Sequence, residues 1–94
     1  MQKIISDEYL AFVRAKPCLV SGKRPVDADH LSARGFGSGK RNDFTAVPLQ
    51  RKYHSERHQI GDEKFQAKYN LNLWRCCAEL VCEFFLGRGK ENEG

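Results

Sequence analysis

The chain is expected to fold as an α+β domain in which a short antiparallel hairpin is flanked by helices at its N- and C-terminal ends. Three observations lead there. Leu73, Cys77, Leu80, Val81 and Phe84 recur at i, i+4, i+7, i+8 and i+11, the stripe of a helix with one buried face. Cys18–Val20 and Val26–Leu31 are short strand-forming stretches on either side of a Ser-Gly-Lys-Arg-Pro turn. His54 and His58 stand four apart, which places both imidazoles on one face of a helix.

In chain order, residues 7–15 read as a first helix. Ser6 or Asp7 can cap it, Asp7 and Glu8 suit its first turn, Leu10 shares a face with Val13 or Arg14, and Pro17 ends it. Cys18–Val20 and Val26–Leu31 then pair as a hairpin, with Asp29 and His30 near the end of its second strand. Residues 33–41 hold three glycines and three basic side chains. Such a stretch is either permissive surface backbone or a loop that approaches phosphate, with Arg34, Lys40 and Arg41 supplying charge. It lacks the spacing of a Walker loop. Residues 42–47 read as loop, and Pro48 falls where the first turn of a helix tolerates a missing N–H. That helix passes through Leu49, Tyr53, His54 and His58 and stops near Gly61. A last helix covers about residues 71–86, with Cys82 on its polar side and residues 87–94 frayed.

At 94 residues the chain is expected to be one small domain, with a core over about residues 9–65 and the last helix packed on it. No apolar run approaches the ~18 residues of a membrane span, and residues 1–8 lack a secretory apolar region. A cytoplasmic protein is expected. Cys18, Cys76, Cys77 and Cys82 form no Cys-x-x-Cys pair and are expected to be reduced thiols, the last three as small helical hydrophobes.

The net charge of +4 is unevenly spread. Between Arg14 and Arg57 ten Lys/Arg face four Asp/Glu, whereas the remainder is slightly acidic. The positive charge therefore surrounds the His/Asp residues, where a polyanion would approach. His54 and His58 can grip one divalent ion. Asp29 and His30 are strand neighbours and point to opposite sides, so one can complete an ion site while the other stays free for proton transfer.

Residues 12–22 (FVRAKPCLVSG), 28–31 (ADHL), 43–49 (DFTAVPL) and 54–61 (HSERHQIG), in that order, resemble the HNH endonuclease superfamily, and more narrowly its small phage-type members. The resemblance runs from about Tyr9 to Phe65. It implies a ββα-metal finger, a hairpin packed on a helix with one metal between them. It places Asp29, His54 and His58 at the metal ligands and His30 at the general base. Asp43, or Asn42 beside it, falls at the central motif residue that orients the base or the loop. The implied activity is metal-dependent hydrolysis of DNA phosphodiester bonds, nicking or cleaving, to a 5′-phosphate and a 3′-hydroxyl. One Mg²⁺, Mn²⁺, Ni²⁺ or Zn²⁺ ion would serve. DNA contacts are expected from Arg34, Lys40, Arg41, Arg51, Lys52 and Arg57.

Family members often carry a second, structural zinc held by cysteines. Here Ser21 and Gln50 stand at two of those positions, so Cys18 remains alone, and Tyr53 replaces the first histidine of the usual pair, which leaves His54 as the ligand. The hairpin is then expected to be held by packing of Phe44, Val47 and Leu49 against Leu19 and Val20. Two other functions compete with the nuclease. One is a noncatalytic nucleic-acid-binding finger in which Asp29, His30, His54 and His58 close a four-ligand zinc. The other is an accessory that acts only within a larger phage packaging or recombination complex.

Overall fold

The computed structural model describes residues 3–31 and 41–93, with side chains up to position 87. It is α+β: four helices and a two-stranded antiparallel sheet. Helix α1 (Asp7–Arg14) begins where expected, with the Ser6 hydroxyl accepting the Tyr9 N–H at 3.2 Å. Its Tyr9, Leu10 and Val13 are buried. Just before it, Ile4 bridges to Asn42, donating its N–H to the Arg41 carbonyl and accepting from the Asp43 N–H.

Strand β1 (Asp27–His30) lies inside the expected second strand, but its partner is different. It pairs with β2 (Ala46–Leu49), in the register Asp27–Leu49, Ala28–Pro48, Asp29–Val47 and His30–Ala46. The expected strand at 18–20 is instead a turn. The Cys18 N–H reaches the Lys23 carbonyl, Gly22 returns its N–H to the Cys18 carbonyl, and Gly22 takes φ +73°. Only a residue without a Cβ adopts that left-handed backbone at low cost. The expectation failed because Cys18, Leu19 and Val20 are apolar for packing rather than for strand pairing. Cys18 is buried, Leu19 and Val20 pack against the core, and the Leu19 N–H donates to the Pro48 carbonyl.

Pro48 sits in β2 rather than at the start of a helix. Its fixed φ suits an extended edge as well as a first helical turn, and the burial of all four β2 residues decides for the strand. Helix α2 (Arg51–Ile60) starts after Gln50 and ends at Gly61, at φ +88°. The chain order is thus β1, a 3₁₀ turn at Asp43–Thr45, β2 and α2.

Helix α3 (Asp62–Tyr69) was not expected. Asp62 and Glu63 fill its first turn and Asn70 closes it in the left-handed region. Its one fully buried residue, Phe65, contributes about 1.5–3 kcal/mol by leaving water. Helix α4 (Leu73–Glu93) carries the expected stripe, with Leu73, Cys77, Leu80 and Phe84 buried and Cys82 exposed. It continues through Glu93, past the expected end near Leu86, so residues 87–93 are helical rather than frayed. Val47 and Leu49 join Tyr9, Val13, Phe65 and the α4 stripe in one core, with Leu19, Val20 and Phe44 packed against it. None of the described helices is long and apolar enough to cross a membrane.

At the centre of the core, the Tyr9 ring meets Phe44, Phe84 and Phe12, with centroids 4.9, 5.1 and 5.8 Å away. Its hydroxyl is fully buried and has no hydrogen-bond partner among the described residues, and burial, helped by the nearby Cys77, pushes its pKa up. An unpaired buried hydroxyl costs about 1–3 kcal/mol. Tyr9→Phe is therefore expected to raise stability by about 1 kcal/mol in urea denaturation; a lower midpoint would show that the hydroxyl has a bonding role.

Candidate metal centre

Two short periodicities meet across the sheet–helix interface. On β1, Asp27 and Asp29 lie two residues apart and send their carboxylates to the same side, towards α2. On α2, Arg51, His54, Arg57 and His58 recur at helical spacing and reach back. Asp29 Oδ1 lies 3.2 Å from His54 Nε2 and 3.4 Å from His58 Nε2. The ligand atoms of all three side chains fall within 4.8 Å of one another, so Asp29, His54 and His58 form a group able to hold a metal ion. Ligands bound at about 2.1 Å in a tetrahedron stand about 3.4 Å apart, and the two separations from Asp29 Oδ1 fit that spacing. The carboxylate is buried and His58 is 58% exposed, so the group opens to solvent on one side.

His54 is held from both ends. Its Nδ1 lies 3.0 Å from Asp27 Oδ2, while its Nε2 faces Asp29. A neutral ring that donates its Nδ1–H to Asp27 presents the Nε2 lone pair to Asp29 Oδ1, acceptor against acceptor. Only a positive charge or a proton between the two makes that contact favourable. Asp27 is in turn held by Arg51, at 2.5 and 3.3 Å, and that contact, with His54 adding to it, keeps its carboxyl below the usual carboxylate range. Carboxylates in this outer position orient metal-binding histidines. Asp27 was not among the expected site residues, although the Asp-x-Asp alternation placed it on the same face as Asp29.

Arg57 departs furthest from expectation. As a DNA contact it would need to reach solvent, yet its side chain is only 2% exposed. It forks onto Asp29, Nε to Oδ2 and Nη2 to Oδ1, both at 2.8 Å, and Nη1 bonds Asp62 in the first turn of α3. Burial opposes its charge, but the two carboxylates outweigh burial and hold it firmly protonated. The correction has a simple cause: Asp29 is a buried charge and needs a partner, and Arg57 stands one helical turn beyond His54.

His30, on the opposite side of β1, stays out of the metal-binding group. Its Nε2 lies 2.9 Å from Asp43 Oδ1, and its ring is 36% exposed. Asp43 is completely buried and also accepts the Ser6 N–H at 2.8 Å and Arg41 at 2.6 and 3.2 Å. Burial acts to raise its pKa, but Arg41, Ser6 and His30 outweigh that and keep it low. Asn42 caps the 3₁₀ turn by accepting the Phe44 N–H, whereas Asp43 touches His30.

Of the remaining expected DNA contacts, Arg34 and Lys40 lie outside the described residues. Arg41 is half exposed and spends its guanidinium on Asp43, as Arg51 does on Asp27. Lys52 is exposed, with its ammonium 5.0 Å from the centre of the Tyr53 ring. An open cleft of about 570 Å³ beside α2 is lined by Lys23, Asp27, Arg51 and Lys52, among others. The corner formed by Cys18, Ser21 and Gln50 closes through hydrogen bonds. Cys18 Sγ accepts the Gln50 N–H at 3.4 Å, and the Ser21 hydroxyl donates to Gln50 Oε1 at 2.6 Å.

Residues 1–87 match a family of proteins of unknown function, DUF968. The chain belongs to the DUF968 family. It is 32% identical over 82 residues to the uncharacterized protein YdfU of Escherichia coli (strain K12), an alignment covering 85% of this chain and 22% of YdfU. The chain thus spans about a fifth of that relative's length. No solved structure matches it.

Proposed function

We propose that the chain is a divalent-metal-dependent DNA endonuclease domain of the HNH type, with β1, β2 and α2 as its ββα finger. The observation that carries this is the division of labour on β1. Asp29 converges with His54 and His58 on one point, while its neighbour His30 is kept apart and oriented by a buried carboxylate.

In this role Asp29 Oδ1, His54 Nε2 and His58 Nε2 hold the ion, and the solvent-open side admits a phosphate. A divalent ion there supplies charge neutralisation at the phosphate and at its leaving oxygen. His30 is the general base. With Nε2 on Asp43, its Nδ1 is left to take the proton from the attacking water. Asp43 touches the base, fixes its ring, and stabilises the imidazolium that forms. Lys23 and Lys52 face the cleft through which a polyanionic strand would pass. A closed four-ligand zinc would draw His30 into the group, and its contact with Asp43 favours the open, catalytic arrangement over that alternative.

Incubation with supercoiled plasmid is expected to give nicked product with Mg²⁺ or Mn²⁺ and none with EDTA. His58→Ala is expected to lose ion binding and nicking together, with the fold intact because the side chain is largely exposed. Nicking that survives this substitution undiminished would remove His58 from the ion site.

A further inference from the structure

Arg57 does more than neutralise a buried aspartate. Its Nη2 lies 2.8 Å from Asp29 Oδ1 and 3.3 Å from His58 Nε2, and 3.0 Å from the His30 carbonyl. One guanidinium nitrogen thus touches ligand atoms of two of the three residues that would hold an ion. We propose that Arg57 is a resident counter-cation of the centre, with which a divalent ion must compete for Asp29. This rests on the assignment of Asp29, His54 and His58 as a metal site.

Three features make the competition unavoidable. Nε and Nη2 take one lone pair from each Asp29 oxygen, and of the two only Oδ1 also lies beside His54 and His58, so it is the oxygen left to meet an ion they hold. The guanidinium cannot shed its proton to relieve the repulsion, since arginine stays charged at any working pH. Nor can it swing away freely, because Asp62 and the His30 carbonyl hold its other edge and the side chain is buried. Without an ion, both Asp29 oxygens therefore already face a fixed cation. An incoming dication meets a fixed positive charge in contact with two of its ligands. The chain is expected to bind divalent ions weakly, and to favour those content with one carboxylate oxygen and two imidazoles.

The test is to titrate Mn²⁺ alone into the wild-type chain, Arg57→Met and Arg57→Lys, reading free Mn²⁺ by electron paramagnetic resonance and melting each protein with and without the ion. Arg57→Met is expected to bind Mn²⁺ at least about tenfold more tightly, because one unit charge beside a dication is removed. Its melting temperature should also rise more with Mn²⁺ than that of the wild type, since the ion replaces the lost cation. Arg57→Lys keeps the charge and should stay near the wild type. Adding His58→Ala to Arg57→Met should abolish the gain. Should Arg57→Met be unfolded without metal, Mn²⁺ is expected to refold it, and failure to do so overturns the proposal. Binding by Arg57→Met no tighter than a His58-dependent wild-type site overturns the proposal and leaves the metal site standing. If none of the proteins binds Mn²⁺ through His58, the metal site and the proposal fall together.

Discussion

Replacing His30 with alanine is expected to lower metal-dependent plasmid cleavage by about 10²–10⁴-fold, the usual worth of a positioned general base, while Mn²⁺ affinity stays unchanged. The two readouts separate because the two sides of β1 do separate work. Asp29 faces α2 and the histidine pair, whereas His30 faces Asp43 and Arg41. No ligand atom of the metal-binding group belongs to His30. The ring is 36% exposed, so its loss leaves no large cavity, and the fold should tolerate alanine. Supercoiled plasmid with Mg²⁺ or Mn²⁺, read for nicked and linear product, gives the rate, and a parallel ion titration gives the affinity. Full cleavage by His30→Ala would dismiss it as the base. Loss of ion binding together with cleavage would make it a ligand and bring back the closed zinc finger.

The parts of the site that sequence made visible are those written in short periods. Four-residue spacing put His54 and His58 on one face, and strand alternation separated Asp29 from His30; both hold in the structure. The cap of α1 and the stripe of α4 were legible in the same local way. What stayed hidden depended on partners distant in sequence. The pairing of β1 with β2 rather than with residues 18–20 is decided by burial of Ala46–Leu49, which no local pattern around Pro48 announces. Helix α3 carries a single buried residue, Phe65, too little to make a stripe. Arg57 looked like one more basic surface residue, because the need that buries it arises from Asp29, 28 positions away. Asp43 gained its setting from Ser6 at the other end of the core, through a contact 37 residues apart. Charge composition is a poor guide here: Arg41, Arg51 and Arg57 all spend their guanidinium groups on carboxylates of the site itself.

That intramolecular use of charge gives Asp29 a second role, with a large measurable consequence. Asp29→Ala is expected to cost about 3–5 kcal/mol of folding stability, the range for removing one partner of a buried ion pair. Both side chains are 1–2% exposed and joined by two 2.8 Å bonds, so the abandoned guanidinium has no route to water. A domain of this size has about 5–15 kcal/mol in total, so the variant should sit close to its unfolding threshold. Urea denaturation in EDTA isolates the effect, because no ion is then present to contribute. His58→Ala, at the exposed corner of the same group, should change stability by less than about 0.5 kcal/mol under those conditions. The double variant Asp29→Ala/Arg57→Met should recover much of the loss, since it removes the stranded charge along with its partner. Two ligands of one proposed ion would thus differ several-fold in their effect on folding and agree in their effect on metal binding. A loss below about 1 kcal/mol for Asp29→Ala would mean that Arg57 finds other acceptors. Asp62 and the His30 carbonyl, which already hold it, would then suffice without the aspartate.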